Sequence, residues 1–318
     1  MAELPRQTDQ IVLTGASGLI GSLVRRNFHR QSKKILQLIR TPSESGPGRL
    51  LWDPYAASPA DASTLAALEG VSAVIHLSGA NVAAHRWTSA YKETIRTSRT
   101  RPTRALAKLL SGLRSKPPVL ICASAVGIYG NRGEELLDET SPPGSGFLAG
   151  VCQEWEQAAE PAVQAGIRVV HLRFGVVLSS AGAALARMLP LFRLGAGGKL
   201  GSGRQWMSWI AVPDLLHTID FAIATRELSG PVNTVAPVPV TNLEFTHTLG
   251  DILHRSTLLS APAWALRLAM GEMADDALLA SQRAIPRRLE AAGFSFQHRQ
   301  LRTALESILL EPAASAPS

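Results

Sequence analysis

The chain is poor in cysteine. Cys122 and Cys152 are the only two among 318 residues, and both sit in apolar or helical contexts, so a disulfide framework is excluded and a reduced, cytosolic protein is expected. No apolar run reaches the 18 residues of a membrane span, and Met1 to Gln10 hold no apolar signal core. No Cys/His spacing suits a metal, and no internal repeat is visible. Charged residues make up only 18% of the chain against 46% hydrophobic ones, the balance of a chain with a large core. Acidic residues are scarce in one place. Between Arg86 and Lys116 Glu93 stands alone against nine basic residues, among them Arg96, Arg99, Arg101 and Arg104. That local excess accounts for much of the +7 net charge. Without an aromatic-plus-basic platform or a recognition helix beside it, it reads as the solvated face of a long amphipathic helix interrupted at Pro102, with one or two charges turned to a ligand's phosphates rather than to nucleic acid.

What is present is organised around Ile11 to Gly21, I-V-L-T-G-A-S-G-L-I-G. A β-branched apolar run turns through glycines into Leu19, Ile20, Leu23 and Val24 at helical spacing, which predicts a strand, a turn and a helix. At such a turn Gly15 permits a tight bend, Gly18 lets backbone approach a pyrophosphate and Gly21 lets helix and strand pack closely, while the helix N-terminus offers unpaired N–H groups. The spacing is G-x-x-G-x-x-G, and a glycine-rich turn without a ligand is the plainer alternative. A second strand, Ile35 to Ile39, ends at Arg40, 19 residues past Gly21. An acid at that strand tip would accept bonds from a ribose 2′-OH, whereas an Arg suits a 2′-phosphate, so the cofactor expected is NADP(H). An Arg that only solvates the strand end is the competing reading.

Further buried strands are predicted at Ala73 to Ala80, Val119 to Ser124 and Arg168 to Arg173, separated by helical runs of ten or more residues. His76 reads as a packed strand residue. The alternation indicates parallel βαβ units and an α/β, Rossmann-type doubly wound sheet. Residues 1–180 are expected to form this NADP-binding domain, with parts of 208–240 returning to it. Residues 181–311 are expected to form a smaller C-terminal substrate lobe, and 312–318 a flexible tail. In that lobe Asp214 begins an amphipathic helix, Asn233 to Val235 reads as a short strand, Asn242 as a helix cap and Pro262 to Phe296 as helical.

Several longer motifs accompany the glycine turn: Arg86-Trp87 followed by Ser98-Arg99, S-A-V-G-I-Y-G at Ser124 to Gly130, and E-W-E at Glu154 to Glu156. Further on stand R-F-G-V-V-L at Arg173 to Leu178, G-S-G-R-Q-W-M-S-W-I at Gly201 to Ile210, and P-R-R-L-x-x-A-G-F-x-F at Pro286 to Phe296. With T-G-A-S-G-L-I-G, the chain resembles, over nearly its whole length, the extended short-chain dehydrogenase/reductases of the nucleotide-sugar epimerase and dehydratase group. Within it, the chain is similar to an atypical epimerase subfamily that includes the bacterial YfcH-like proteins. The resemblance implies that Gly15, Ser17, Gly18, Leu19, Ile20 and Gly21 contact the pyrophosphate, Arg40 the 2′-phosphate, and Leu77, Ser78 and Gly79 the adenosine half. It implies that Arg99 approaches the phosphates or nicotinamide ribose, and that Arg173 to Leu178, with Phe174 and Leu178, close over the nicotinamide.

One departure separates this chain from that group, whose members use a Ser or Thr with Y-x-x-x-K, the Tyr as acid/base and the Lys to hold the ribose and lower the Tyr pKa. Ser124 is at the expected strand end, but the helix reads Phe147 and Val151 where Tyr and Lys belong. Tyr129 is a candidate relocated acid. So are Asp138, Glu139, Glu154 and Glu156, since a buried carboxylic acid can replace a tyrosine. Residues Gly195 to Gly203 form a second glycine-rich loop that lacks the triphosphate P-loop pattern. There Lys199, Arg204 and Trp206 suit an anionic, ring-containing substrate such as a nucleotide sugar; a plain surface loop is the alternative. The expected function is an NADP-dependent epimerase or reductase acting on a nucleotide-sugar-like or other small carbonyl or hydroxyl substrate, with a homodimer as a candidate assembly. A catalytically silent NADP(H) sensor or regulator is the alternative.

Overall fold

The computed structural model describes residues 8–56, 61–180 and 182–310. The expected flexible tail and the first residues of the chain lie outside these. Two compact units interleave along the chain: residues 1–124, 151–172 and 219–231 form the first, and residues 125–150, 173–218 and 232–318 the second.

In the first unit β1 (Thr8–Thr14), β2 (Lys34–Ile39), β3 (Arg49–Leu51), β4 (Val71–His76) and β5 (Val119–Ala125) pair side by side. With β6 (Arg168–Phe174) and β7 (Gly230–Thr234), whose last residues count with the second unit, they make one seven-stranded parallel sheet of order 3-2-1-4-5-6-7. The order reverses between β1 and β4. Because β1 runs parallel to both β2 and β4, the crevice beyond its C-terminal end is the switch point at which such sheets bind ligands. The strands read as continuous apolar runs because both faces are covered. Helices α1 (Leu19–Arg30), α2 (Ala62–Leu68), α3 (Ser89–Ser111), α4 (Phe147–Gln157, whose first turn counts with the second unit) and α5 (Glu160–Gln164) follow the strands. One core cluster joins Val12, Val74 and Leu120 of the sheet to Leu106 and Leu110 of α3.

Helix α3 differs from its sequence expectation, for it runs unbroken through Pro102. Proline removes one N–H, while the buried face of Ile95, Pro102, Thr103, Leu106 and Leu110 keeps the segment helical through its tertiary packing.

The second unit holds α6 (Ala183–Arg193), α7 (Val212–Ala224, whose last turns belong to the first unit), α8 (Asn242–Leu253), α9 (Ala263–Met270), α10 (Arg287–Ala291) and α11 (Leu301–Leu310). Its core gathers Leu178, Leu185, Trp209, Phe245, Leu249 and Leu305. The cap of α8 is Thr241 rather than Asn242. Thr241 accepts the Glu244 N–H while the Glu244 carboxylate accepts the Thr241 N–H, a capping box that places Asn242 just inside the helix. The stretch from Pro262 to Phe296 is not one helix either. Gly271, at φ +64°, ends α9, a single π turn spans Ala274–Leu278, a two-residue strand follows at Arg283–Ala284, and α10 starts after Pro286.

Candidate functional site

At the end of β1 the chain bends at Gly15, which has φ +70°, and enters α1 through Gly18. A Cβ at Gly15 would lie 2.7 Å from the Leu77 carbonyl carbon and oxygen, so only glycine lets β1 pass this close to the end of β4. A Cβ at Gly21 would lie 2.1 Å from the Gly15 oxygen, which makes the third glycine a condition of the turn itself. Helix α1 has no side-chain cap and no acid in its first turn. Its first N–H groups and the positive end of its dipole are therefore left for an anion.

The turn opens on a cavity of about 780 Å³, within the range of cofactor sites. Residues 14–18 line it on one side and Leu77, Ser78, Gly79 and Ala80 on the other, with Thr94, Thr97 and Ser98 of α3. Where β2 ends, Arg40 and Thr41 line it, joined by Arg25 from α1 and by Trp52 and Tyr55. The structure thus brings Gly15, Ser17, Gly18, Arg40, Leu77, Ser78 and Gly79 to one site. Leu19, Ile20 and Gly21 stand behind them in the first turn of α1. Arg25 was not singled out by the sequence; two helical turns separate it from Gly18, and only the fold brings it beside Arg40. The small side chains, the backbone donors and the guanidinium groups of Arg25, Arg40 and Arg49, with the Glu44 carboxylate also on the lining, fit a dinucleotide with phosphate groups.

Beneath this cavity runs a buried chain of hydroxyls. Ser78 donates to Thr14 (3.1 Å), Thr14 meets His76 Nδ1 (2.7 Å), and His76 Nε2 meets Thr103 Oγ1 (2.9 Å). Thr103 donates to the Arg99 carbonyl and accepts from Trp155 Nε1. These partners fix His76 as the neutral Nε2–H tautomer, and burial lowers its pKa from 6.5 to about 4. His76 is the packed strand residue the sequence indicates.

Six other expected residues are placed differently. Arg99 does not reach the cavity lining: its guanidinium donates to the Ala80 and Ile95 carbonyls, each at 3.0 Å, and lies over the Trp155 ring. It pins the loop after β4 to α3. Leu178 is fully buried in the core of the second unit and Phe174 is nearly so, hence neither presents a face to a ligand. Trp206 donates to Glu134 (2.6 Å) under the Arg283 guanidinium, Lys199 lies in a short strand beside Ser260, and Arg204 is exposed. None of Lys199, Arg204 and Trp206 lines this cavity.

The catalytic candidates are also held by neighbours. Ser124 is buried and donates to Glu156 Oε1 of α4 at 2.7 Å. Tyr129 is fully buried in the second unit, where its hydroxyl bonds to the Asp138 carbonyl (2.9 Å), Asn233 Oδ1 (2.8 Å) and Arg173 Nη1 (3.0 Å). Burial raises the phenol pKa, opposed by the Arg173 charge. Glu139 beside them accepts the Asn233 and Arg288 N–H groups, and burial raises its pKa too. Asp138 pairs with Arg287, and Glu154 with Arg96. On α4 Phe147 is half-buried and Val151 buried. Among the described residues no group of three or more His, Cys, Asp or Glu is placed to hold a metal, and no helix is long and apolar enough to cross a membrane.

A parallel sheet of order 3-2-1-4-5-6-7 with a glycine turn and a cation-edged cavity at its switch point defines a Rossmann-type dinucleotide-binding protein. The sequence profile of the NAD dependent epimerase/dehydratase family matches residues 11–235, and that of a domain of unknown function, DUF1731, matches residues 261–308. The chain belongs to the NAD dependent epimerase/dehydratase family, as an NAD(P)-binding member of the short-chain dehydrogenase/reductase class. It is 45% identical over 296 residues to the epimerase family protein Mb2239 of Mycobacterium bovis, covering 93% of this chain and 96% of that protein. It is 35% identical to the chloroplastic epimerase family protein SDR39U1 homolog of Arabidopsis thaliana, covering 94% and 86%. The crystal structure of human epimerase family protein SDR39U1 (isoform 2) with NADPH superposes with a TM-score of 0.85 at 30% identity, covering 95% of this chain and all of that one.

Proposed function

We propose that the protein binds NADP(H) and acts as an epimerase or reductase on a nucleotide-sugar-like or other small carbonyl or hydroxyl substrate, with an acid/base that is not the Tyr of Y-x-x-x-K. The observation that carries the cofactor choice is Arg40 at the tip of β2, lining the same cavity as Arg25 and the Gly15–Gly18 turn. The guanidinium groups of Arg25 and Arg40, with Arg49 on the same lining, favour a ribose 2′-phosphate over a free 2′-OH. The human relative crystallised with NADPH supports the same choice. A bound nicotinamide cofactor supplies the hydride acceptor or donor. The chain's own part is to hold the pyrophosphate on backbone N–H groups, to neutralise the 2′-phosphate with Arg40, and to keep Ser78, Thr14 and His76 fixed beneath the site.

The test of cofactor choice is Arg40→Asp. NADPH affinity by fluorescence titration is expected to fall about 30- to 150-fold, the scale of a lost charge-assisted bond of about 2–3 kcal/mol, while NADH binding holds or improves. Equal loss of both would overturn the assignment. The test of catalysis is single-turnover hydride transfer on nucleotide sugars and small aldehydes. Normal NADPH binding with silence across that panel would leave the sensor reading instead.

A further inference from the structure

Helix α9 carries seven apolar residues among its eight, A-W-A-L-R-L-A-M, and none of them is buried. A helix that is apolar on nearly every side is normally enclosed. Trp264 and Leu268, one turn apart on α9, are 69% and 71% exposed. A neighbouring stretch repeats the pattern: Leu191 and Leu194 at the C-terminal end of α6 are 55% and 81% exposed, and Leu258 and Leu259, shortly before α9, are 95% and 57%. These stretches adjoin. The short strand Gly198–Leu200 after α6 pairs with Leu259–Ala261, the Gly201 N–H donates to the Ala261 carbonyl at 2.8 Å, and Arg255 Nε donates to the Arg193 carbonyl at 2.8 Å. Six large apolar side chains on adjoining segments exceed the scattered exposed leucines of an ordinary surface, and mark an interaction face.

The charge around this face has one sign. No acid occurs between Glu160 and Asp214, nor between Asp251 and Glu272, so the two stretches carry only cations. Of the flanking acids, Asp251 pairs with Arg302 and Asp275 with Arg267, each at 2.9 Å, and Glu244 closes the capping box of α8. Among the described residues no ion pair engages Arg193, Lys199, Arg204 or Arg255. A second copy docked here about a two-fold axis would bring these like charges together, which disfavours that occupant. Leucine and tryptophan ringed by arginine and lysine instead match the boundary of an anionic bilayer, where apolar side chains enter and cations meet lipid phosphates.

We propose that this face of the second unit is a peripheral docking surface for an anionic lipid bilayer. Leu194, Leu258, Trp264 and Leu268 enter the boundary between headgroups and acyl chains, while Arg193, Lys199, Arg204 and Arg255 meet the phosphates. At eight residues α9 is far too short to span a bilayer and lies along its surface. Part of the segment matching the domain of unknown function thereby gains a role that does not depend on the dinucleotide cavity, whose lining belongs to the first unit.

The experiment is co-sedimentation of the full chain with vesicles of phosphatidylcholine mixed with phosphatidylglycerol, and with vesicles of phosphatidylcholine alone. Binding is expected to the anionic vesicles only, and to weaken as salt is raised. Leu258→Ser with Trp264→Ser should lower it about 100-fold through lost apolar burial, and Arg193→Glu about tenfold. Thermal unfolding and NADPH affinity should stay as in wild type, because these side chains are exposed. Tryptophan emission should move to shorter wavelength with the anionic vesicles and not do so in Trp264→Phe, which separates insertion from mere adsorption of a chain of net charge +7. Absence of binding, equal binding to the two kinds of vesicle, binding without that emission change, or a serine variant that binds like wild type would overturn the proposal. So would a dimer in analytical ultracentrifugation that the serine variant dissociates while vesicles leave the protein unbound, an outcome that assigns the face to a second copy.

Discussion

The turn at residues 15–21 in the first unit and the Tyr129 cluster in the second are both tightly built, but they tolerate different changes. At the turn the groups offered to an anion are backbone N–H groups, and the side chains that matter are absent ones: a single carbon at Gly15 or Gly21 would overlap main chain. Around Tyr129 the groups are side chains, the Arg173 guanidinium, the Asn233 amide and the phenol itself, closed on one another in a buried set. Anion binding built from main chain admits few substitutes, because the geometry is the function. Proton transfer needs only a group of suitable pKa within reach, so Phe147 and Val151 can stand where Tyr and Lys are expected without disturbing the cofactor turn.

The sharpest way to break that contrast is Gly21→Ala. The added carbon must displace the Gly15 carbonyl and with it the donors around a pyrophosphate, so NADPH affinity should fall by at least ~100-fold through the loss of two or more charge-assisted bonds. A titration matching wild type would show that the turn is not the anion site.

The buried imidazole of the first unit gives the next largest effect. His76 has a folded-state pKa of about 4 against 6.5 when exposed, so the unfolded chain takes up a proton first as pH falls. Its contribution is fully present above pH 6.5 and is lost between about pH 6.5 and 4, up to about 3 kcal/mol at 1.36 kcal/mol per pKa unit. Denaturant unfolding at a series of pH values should show this slope in wild type and a flatter one in His76→Gln. An unchanged slope would mean that the imidazole takes up its proton in the fold as readily as in the unfolded chain.

Tyr129→Phe addresses the second unit. It removes a hydroxyl with three buried partners and should cost about 1–3 kcal/mol of stability, since it leaves the Arg173 and Asp138 groups short of a partner. NADPH affinity should stay the same. Full stability with a lost hydride-transfer rate would instead restore Tyr129 as the acid. Ser124→Ala is the mildest of the four. Loss of its bond to the half-buried Glu156 should lower stability by about 1–2 kcal/mol in thermal or denaturant unfolding, again with cofactor binding intact.

The amino-acid sequence by itself determined the strand, turn and helix of residues 11–30, the alternation that makes the sheet parallel, and the choice of Arg at the end of β2. These follow from periodicity, from glycine's lack of a Cβ and from the short range of a strand-to-helix turn, all of which act over a few residues. The same local logic erred wherever packing outweighed propensity. Pro102 continues a helix because its neighbours are buried, and the cap of α8 moves one residue to Thr241 because Glu244 completes it.

Only the tertiary structure decided which polar residues stay available. Arg99, Ser124, Tyr129 and Trp206 have the right chemistry for a site, and each is engaged by a partner that lies from 19 to 104 residues away along the chain: Ala80 for Arg99, Glu156 for Ser124, Asn233 for Tyr129 and Glu134 for Trp206 lie outside any local window. Arg25 joins Arg40, and Asp276 meets Leu148, for the same reason in reverse. A hydrogen bond between distant residues leaves no periodic trace in sequence, because its energy depends on position in space and not on spacing along the chain.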